Sequence, residues 1–235
     1  SSLDQYGFGC ASSVVDGAVY VAGRTSGAFD GQSSFGIYDL FLSKFNYSNN
    51  TPTKLWTRIW GSVNNDEGYS VAVSSVDNYI YVTGRAGGSV DGQTFQGGSY
   101  DAVLTKWSEA GVKQWTILSG GSNDDHGRGV TVSSVDNFIY VTGYTFSPTF
   151  EGQAQLGSND IFLIKISPNG TKIWTQRWGS SLNEEGFSVA VSGVDNSVYV
   201  AGYAADSVDG QTYQGNSDII LTKWSSDGVK QWTRM

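Results

Sequence analysis

The chain is short of several things at once. It has one cysteine, Cys10, so no internal disulfide can form, and a cysteine-based zinc site is excluded. One histidine, His126, leaves little room for histidine-centred catalysis; it reads as a solvated loop residue. Only 14 Lys+Arg stand against 22 Asp+Glu, for a net charge of -8, and such a balance suits phosphate backbones poorly. Nucleic acid is therefore not an expected partner. No apolar run approaches the roughly 18 residues of a spanning helix, so membrane insertion is not expected either. Three prolines beside 31 glycines, 13 tyrosines and 8 tryptophans describe a turn-rich β-protein rather than a disordered chain.

What is present is a repeat. Tyr-Val-Thr/Ala-Gly recurs at Tyr20, Tyr81, Tyr140 and Tyr199, and Lys-x-Trp-Thr at Trp56, Trp115, Trp174 and Trp232. An Asp/Glu-Gly-Gln triplet opens at Asp30, Asp91, Glu151 and Asp209. A strand-opening acid follows at Asp39, Asp101, Asp160 and Asp218. These markers divide the single domain 1-235 into four copies, about 1-60, 61-119, 120-178 and 179-235.

Each copy carries four short stretches rich in β-branched and aromatic residues and bounded by turn residues. In the second copy they are Tyr69 to Ser74, Tyr79 to Thr83, Ala102 to Trp107 and Gln114 to Leu118. Asp77-Asn78 and its counterparts Asp16-Gly17, Asp136-Asn137 and Asp195-Asn196 read as two-residue hairpin turns. In the first copy the last turn is longer, Asn46 to Pro52. Strands apolar on both faces need cover on both sides, which radial repetition supplies. The expected fold is all-β: a propeller of four blades, each of four antiparallel strands. Ser1 to Phe8 aligns with Ser180 to Phe187, so the N-terminal strand is expected to join the last blade and close the ring. The alternative is a window from a longer array.

The segment Asp101 to Gly143, DAVLTKWSEAGVKQWTILSGGSNDDHGRGVTVSSVDNFIYVTG, resembles the bacterial SBBP-type β-propeller repeat, and all four copies share its landmarks. The resemblance implies a propeller fold and secreted or surface proteins. It carries no catalytic motif to transfer. The family name implies seven blades, against four copies in this sequence.

Strand alternation places the loop after the second strand and the loop after the fourth on one end of the ring. Most of the acids fall in these loops, so an acidic rim is expected. Its candidate ligand-binding residues are Asp30, Gln32, Asp91, Gln93, Glu151, Gln153, Asp209 and Gln211, together with Asp66, Glu67, Asp124, Asp125, Glu184 and Glu185. Lys54, Lys113, Lys172 and Lys230 are expected toward the opposite end. Amides and carboxylates near aromatic loops suit sugar hydroxyls and sugar C–H faces. Calcium is the cation such oxygen-rich loops would take, although no D-x-D-x-D-G loop occurs. The four tryptophans read as core between blades.

The expected function is a non-catalytic, extracellular, multivalent binding module for glycans or other matrix and surface components, calcium-assisted if a metal is used. The alternative is a structural or adhesive bead of a self-assembling extracellular filament. A glycan-acting enzyme is the least expected, since a catalytic pair normally breaks repeat symmetry. In a secreted eukaryotic protein, Asn46, Asn49 and Asn169 would accept glycans, on the end opposite the acids.

Overall fold

The computed structural model describes residues 3–48 and 51–235, so Ser1, Ser2 and the acceptor Asn49 lie outside the described residues. It is all-β, with four four-stranded antiparallel sheets in meander order. The first contains β1 (Gln5–Ser12), β2 (Val19–Thr25), β3 (Asp39–Ser48) and β4 (Thr51–Trp60). The second contains β5 (Asp66–Val73), β6 (Ile80–Ala86), β7 (Asp101–Trp107) and β8 (Lys113–Ser119). In the third, β9 (Asp125–Val132) and β10 (Ile139–Thr145) precede a two-residue hairpin, β11 (Thr149–Phe150) with β12 (Gln153–Ala154). The sheet then resumes with β13 (Asp160–Ile166) and β14 (Lys172–Trp178). The fourth contains β15 (Glu184–Val191), β16 (Val198–Ala204), β17 (Asp218–Trp224) and β18 (Lys230–Arg234).

Three apolar layers hold the four sheets together. Leu40, Leu42 and Trp60 of the first sheet pack with Ile80, Val82 and Trp107 of the second. Leu104 meets Val141 and Phe162 in the next layer, and Leu163 and Trp178 meet Val200 and Trp224 in the last. Strand β1 contacts β5, β5 contacts β9, and β9 contacts β15, whereas the fourth strands make no comparable contacts. The sheets therefore fan out with their first strands innermost. The Tyr-Val-x-Gly strand lies second.

Two expectations about closure and turns are corrected. Strand β1 does not join the last sheet: it pairs along its length with β2, from Gln5↔Thr25 to Ser12↔Val19, and β15–β18 already supply the fourth sheet with four strands. Among the described residues β1 and β15 make no contact like those between neighbouring first strands, so the fan is open. The Asp-Asn turns are also longer than two residues. Ser74 N–H donates to Tyr79 O at 2.9 Å and Asn78 N–H to Ser74 O at 3.1 Å, leaving four residues in the loop. Asn78, Asn137 and Asn196 take positive φ of 57°, 60° and 56°, which asparagine tolerates better than most residues. In the first copy the ladder runs on to Ser48↔Thr51, so the expected long turn is mostly strand, with Pro52 on an edge where no N–H is required.

Candidate functional site

The two expected sets of acidic residues occupy different layers. In the first set, each Asp/Glu-Gly pair has two successive positive φ values, 52° and 75° at Asp30-Gly31, which is the backbone of a tight primed turn. Reciprocal bonds between Phe29 and Gln32, at 3.1 and 3.0 Å, close it. The turn does not stand on a rim. It folds back over the fourth strand, where Asp30 lies 2.5 Å from Lys54 Nζ and accepts from Thr57 Oγ1. Asp91 repeats this with Lys113 at 2.6 Å and Thr116, and Asp209 with Lys230 at 2.6 Å and Thr233; Glu151 pairs with Lys172. These lysines, expected at the far end, thus neutralise the very carboxylates that were to define an acidic rim. Desolvation pushes Asp30 and Asp209 up, but their lysine and threonine partners together outweigh it and hold both below the usual carboxylate range.

Between the turn and the fourth strand of the first, second and fourth copies runs an open groove. Asp30 and Gln32 line one with Lys54, Leu55, Trp56, Thr57 and Arg58; Asp91 and Gln93 line its counterpart with Lys113, Gln114, Trp115 and Thr116. Asp209 and Gln211 line a third with Lys230, Gln231, Trp232 and Thr233. Their volumes are about 340, 300 and 300 Å³. Trp56 is half-buried, and its indole N–H also donates to Glu109 O of the next sheet at 3.2 Å. Trp56, Trp115 and Trp174 thus reach across to the next sheet, half-buried rather than fully core, and Trp56, Trp115 and Trp232 contribute surface to the grooves. In the third copy Glu151 and Gln153 keep the turn, and Arg177 bonds Asp160 at 2.7 Å.

The second set is mostly interior. Asp66, Asp125 and Glu184 are fully buried because the first strand starts at the acid itself rather than after it. Each stands beside the strand-opening acid of the preceding sheet: Asp39 with Asp66, Asp101 with Asp125, Asp160 with Glu184. A Cβ on Gly61 would come within 2.5 Å of Asp66 Oδ2 and 2.8 Å of Asp39 Oδ1, so glycine there makes room for both carboxyls. Burial, reinforced by the neighbouring acid, pushes Asp66 up to about 6 and Asp125 to about 7; burial likewise raises Asp101 to about 6. The strand-opening acids also fasten loop backbone. Asp39 accepts from Phe35 and Gly36 N–H at 3.0 and 3.1 Å, and Asp101 from Gln96 N–H at 2.7 Å. Among the described residues no group of three or more His, Cys, Asp or Glu side chains is arranged to hold a metal ion.

Glu67, Asp124 and Glu185 lie nearer the inner edge. Glu67 is paired with Arg24 and, at 3.1 Å, with Arg85, and Asp124 accepts from Ser99 N–H. Glu185 accepts from Tyr203 Oη at 3.2 Å. His126, expected in a solvated loop, is instead buried in β9, stacked 4.7 Å from Tyr144. Burial first, then Arg85 and Arg128, lower it to about 4, so it is neutral at pH 7. Of the expected glycan acceptors, Asn46 is exposed at the end of the β3–β4 hairpin. Asn169 is exposed in the β13–β14 turn, where its side chain accepts from Thr171 N–H at 3.3 Å.

Sequence reasoning missed the tryptophans and lysines as groove-lining residues and did not find the row of rings and guanidinium groups on the inner strands. The groove had a signal: Lys-x-Trp-Thr and Asp-Gly-Gln share one period, and the turn is too short to reach anything but its own sheet.

A curated relative, described as regulatory protein FlaEY of Caulobacter vibrioides, is 27% identical over 197 residues, which is 76% of this chain and 20% of that protein. The chain thus spans about a fifth of the length of the relative it matches. Residues 114–148 match the family model described as a β-propeller repeat, SBBP, the family that the repeated landmarks of the sequence resemble.

Proposed function

We propose that this protein is a non-catalytic, extracellular, multivalent carbohydrate-binding module, its sites lying on the outer edges of the blades. The observation that carries the reading is the recurrence of one groove chemistry: a tryptophan surface beside a carboxylate, an amide and an ammonium group. Aromatic surface stacks on the C–H face of a pyranose, and the polar groups satisfy its hydroxyls. Each groove is shallow and weak alone. Equivalent sites on one rigid body gain avidity on a polymer whose own units repeat. Because Lys54, Lys113 and Lys230 already neutralise the groove carboxylates, binding is expected to survive a chelator. A glycan array probed with and without chelator tests this. Retained binding to a repeating glycan, lost together on Trp56→Ala, Trp115→Ala and Trp232→Ala, is the expected result. Silence on every glycan would refute it.

The reading takes the four sheets as four blades of a propeller whose closure comes from blades docking face to face. A second reading, a bead in a larger extracellular assembly, is favoured by the outer face of the fourth sheet. Ile219 there is 77% exposed, whereas its counterparts Leu40, Ala102 and Ile161 are buried.

A further inference from the structure

The innermost strands carry a β-bulge at one recurring place, where the register slips between Gly7 and Gly9, Gly68 and Ser70, and Gly186 and Ser188. In the third sheet the slip falls between Thr142 and Gly143, opposite Arg128. The extra residues are Phe8, Tyr69, Arg128 and Phe187, and a bulge re-aims the side chain it carries. Three are aromatic, and the fourth is a cation. The Arg128 guanidinium lies 4.5 Å from the Tyr69 ring centre, 5.6 Å from Tyr144 and 5.7 Å from Phe187.

Arg128 makes no ion pair like that of Arg24 and Arg85 with Glu67; Glu185 is the acid that its charge stabilises, without direct contact. Two residues before the bulge the four sheets carry Tyr6, Glu67, His126 and Glu185. Glu67 serves Arg24 and Arg85, and Glu185 is held by Tyr203 and, at 3.5 Å, by Asn159. His126 occupies the place of a carboxylate, is neutral, and leaves its Nδ1 buried without a partner. Arg85 Nε is likewise buried and unpartnered. Among the described residues no carboxylate lies within ion-pair distance of Arg128. Asp124 and Glu67 are the acids whose fields reach His126, and Asp124 is occupied by the Ser99 N–H. Rings beside a guanidinium cover its faces and leave its edge donors for a planar, bidentate anion.

We propose that Arg128, flanked by Tyr69 and Phe187, binds a sugar carboxylate, such as that of a uronic acid residue, on the inner face of the fan. The guanidinium edge takes the carboxylate, and the half-exposed rings take the apolar face of the pyranose. The site is separate from the blade-edge grooves and does not depend on them.

His126 is the only histidine, so its ring proton resonances report on this place without assignment. Titration with glucuronate is expected to shift them and to raise the pH at which His126 protonates, while glucose leaves them in place. Arg128→Gln is expected to weaken the response by about tenfold or more. Arg128→Lys, which keeps the charge without the planar fork, is expected to fall between. Thermal melts establish that each variant is folded, and Trp115→Ala, which damages a blade-edge groove, should leave the response unchanged. An equal response from Arg128→Gln, or none from the parent protein, would overturn the proposal. Acetate binding as tightly as glucuronate would overturn its sugar part.

Discussion

Asp125 shows how one buried residue sets a pH dependence. Its carboxyl is raised to about 7 by burial and by the neighbouring Asp101, so the folded protein holds a proton that the unfolded chain releases near 4. A group bound more tightly by the folded state adds stability as pH falls, and the gain is lost as pH rises through the folded value. Asp66 and Asp101, at about 6, act in the same direction. His126 opposes them, because its lowered value makes the folded state resist a proton that the unfolded chain accepts below about 6.5. Between pH 8 and 6.5 the three carboxyls outweigh the histidine, which is about half protonated in the unfolded chain at 6.5. Stability should rise there by about 1 kcal/mol, visible as a few degrees in the melting temperature. In Asp125→Asn most of that rise should disappear, whereas an unchanged slope would place the titration elsewhere.

At the level of the strand and turn, neighbouring sheets are joined by the same polar clasp at each seam. Ser13, Ser74 and Ser133 donate to Asn78, Asn137 and Asn196 of the following sheet at 2.7, 2.8 and 2.8 Å. Asn137 and Asn196 donate back to Asp77 and Asp136 at 2.7 and 2.6 Å. Asn137→Gly keeps the positive φ and removes the clasp, so it should cost about 1–2 kcal/mol in chemical denaturation. No loss would mean that the apolar layers alone hold the seam. Strand order and repeat length were legible in the sequence because alternation and turn residues recur four times. The burial of Asp66 was not, because three polar letters, Asn64, Asn65 and Asp66, look like loop until a carboxyl from the previous sheet and Gly61 are seen around it. The grooves were half legible. Asp30 and Gln32 were singled out, but a turn folding onto its own outer strand leaves no mark on hydrophobic periodicity.

For the molecule as a whole the open fan is the dominant fact. Lys44 and Trp56 donate to Glu109 O, Lys106 and Trp115 to Pro168 O, and Lys165 and Trp174 to Ser226 O. Lys223 and Trp232 occupy the same places in the last sheet, whose third strand also carries exposed Ile219, and among the described residues no turn of another sheet receives them. If that face docks another blade, the protein should oligomerise with increasing concentration in light scattering. Ile219→Asp should keep it monomeric with its melting temperature nearly unchanged. A parent protein that stays monomeric throughout would remove the assembly reading. The first sheet is not the plain mate of this face: it carries Gln5 where later sheets have a buried acid, and Gly17 where they have the clasping asparagine. The seam is thus vectorial, giving N–H from one side and carbonyl oxygen from the other. Two copies meeting by like ends would set donors against donors, so a stack joined through this seam chemistry would run head to tail.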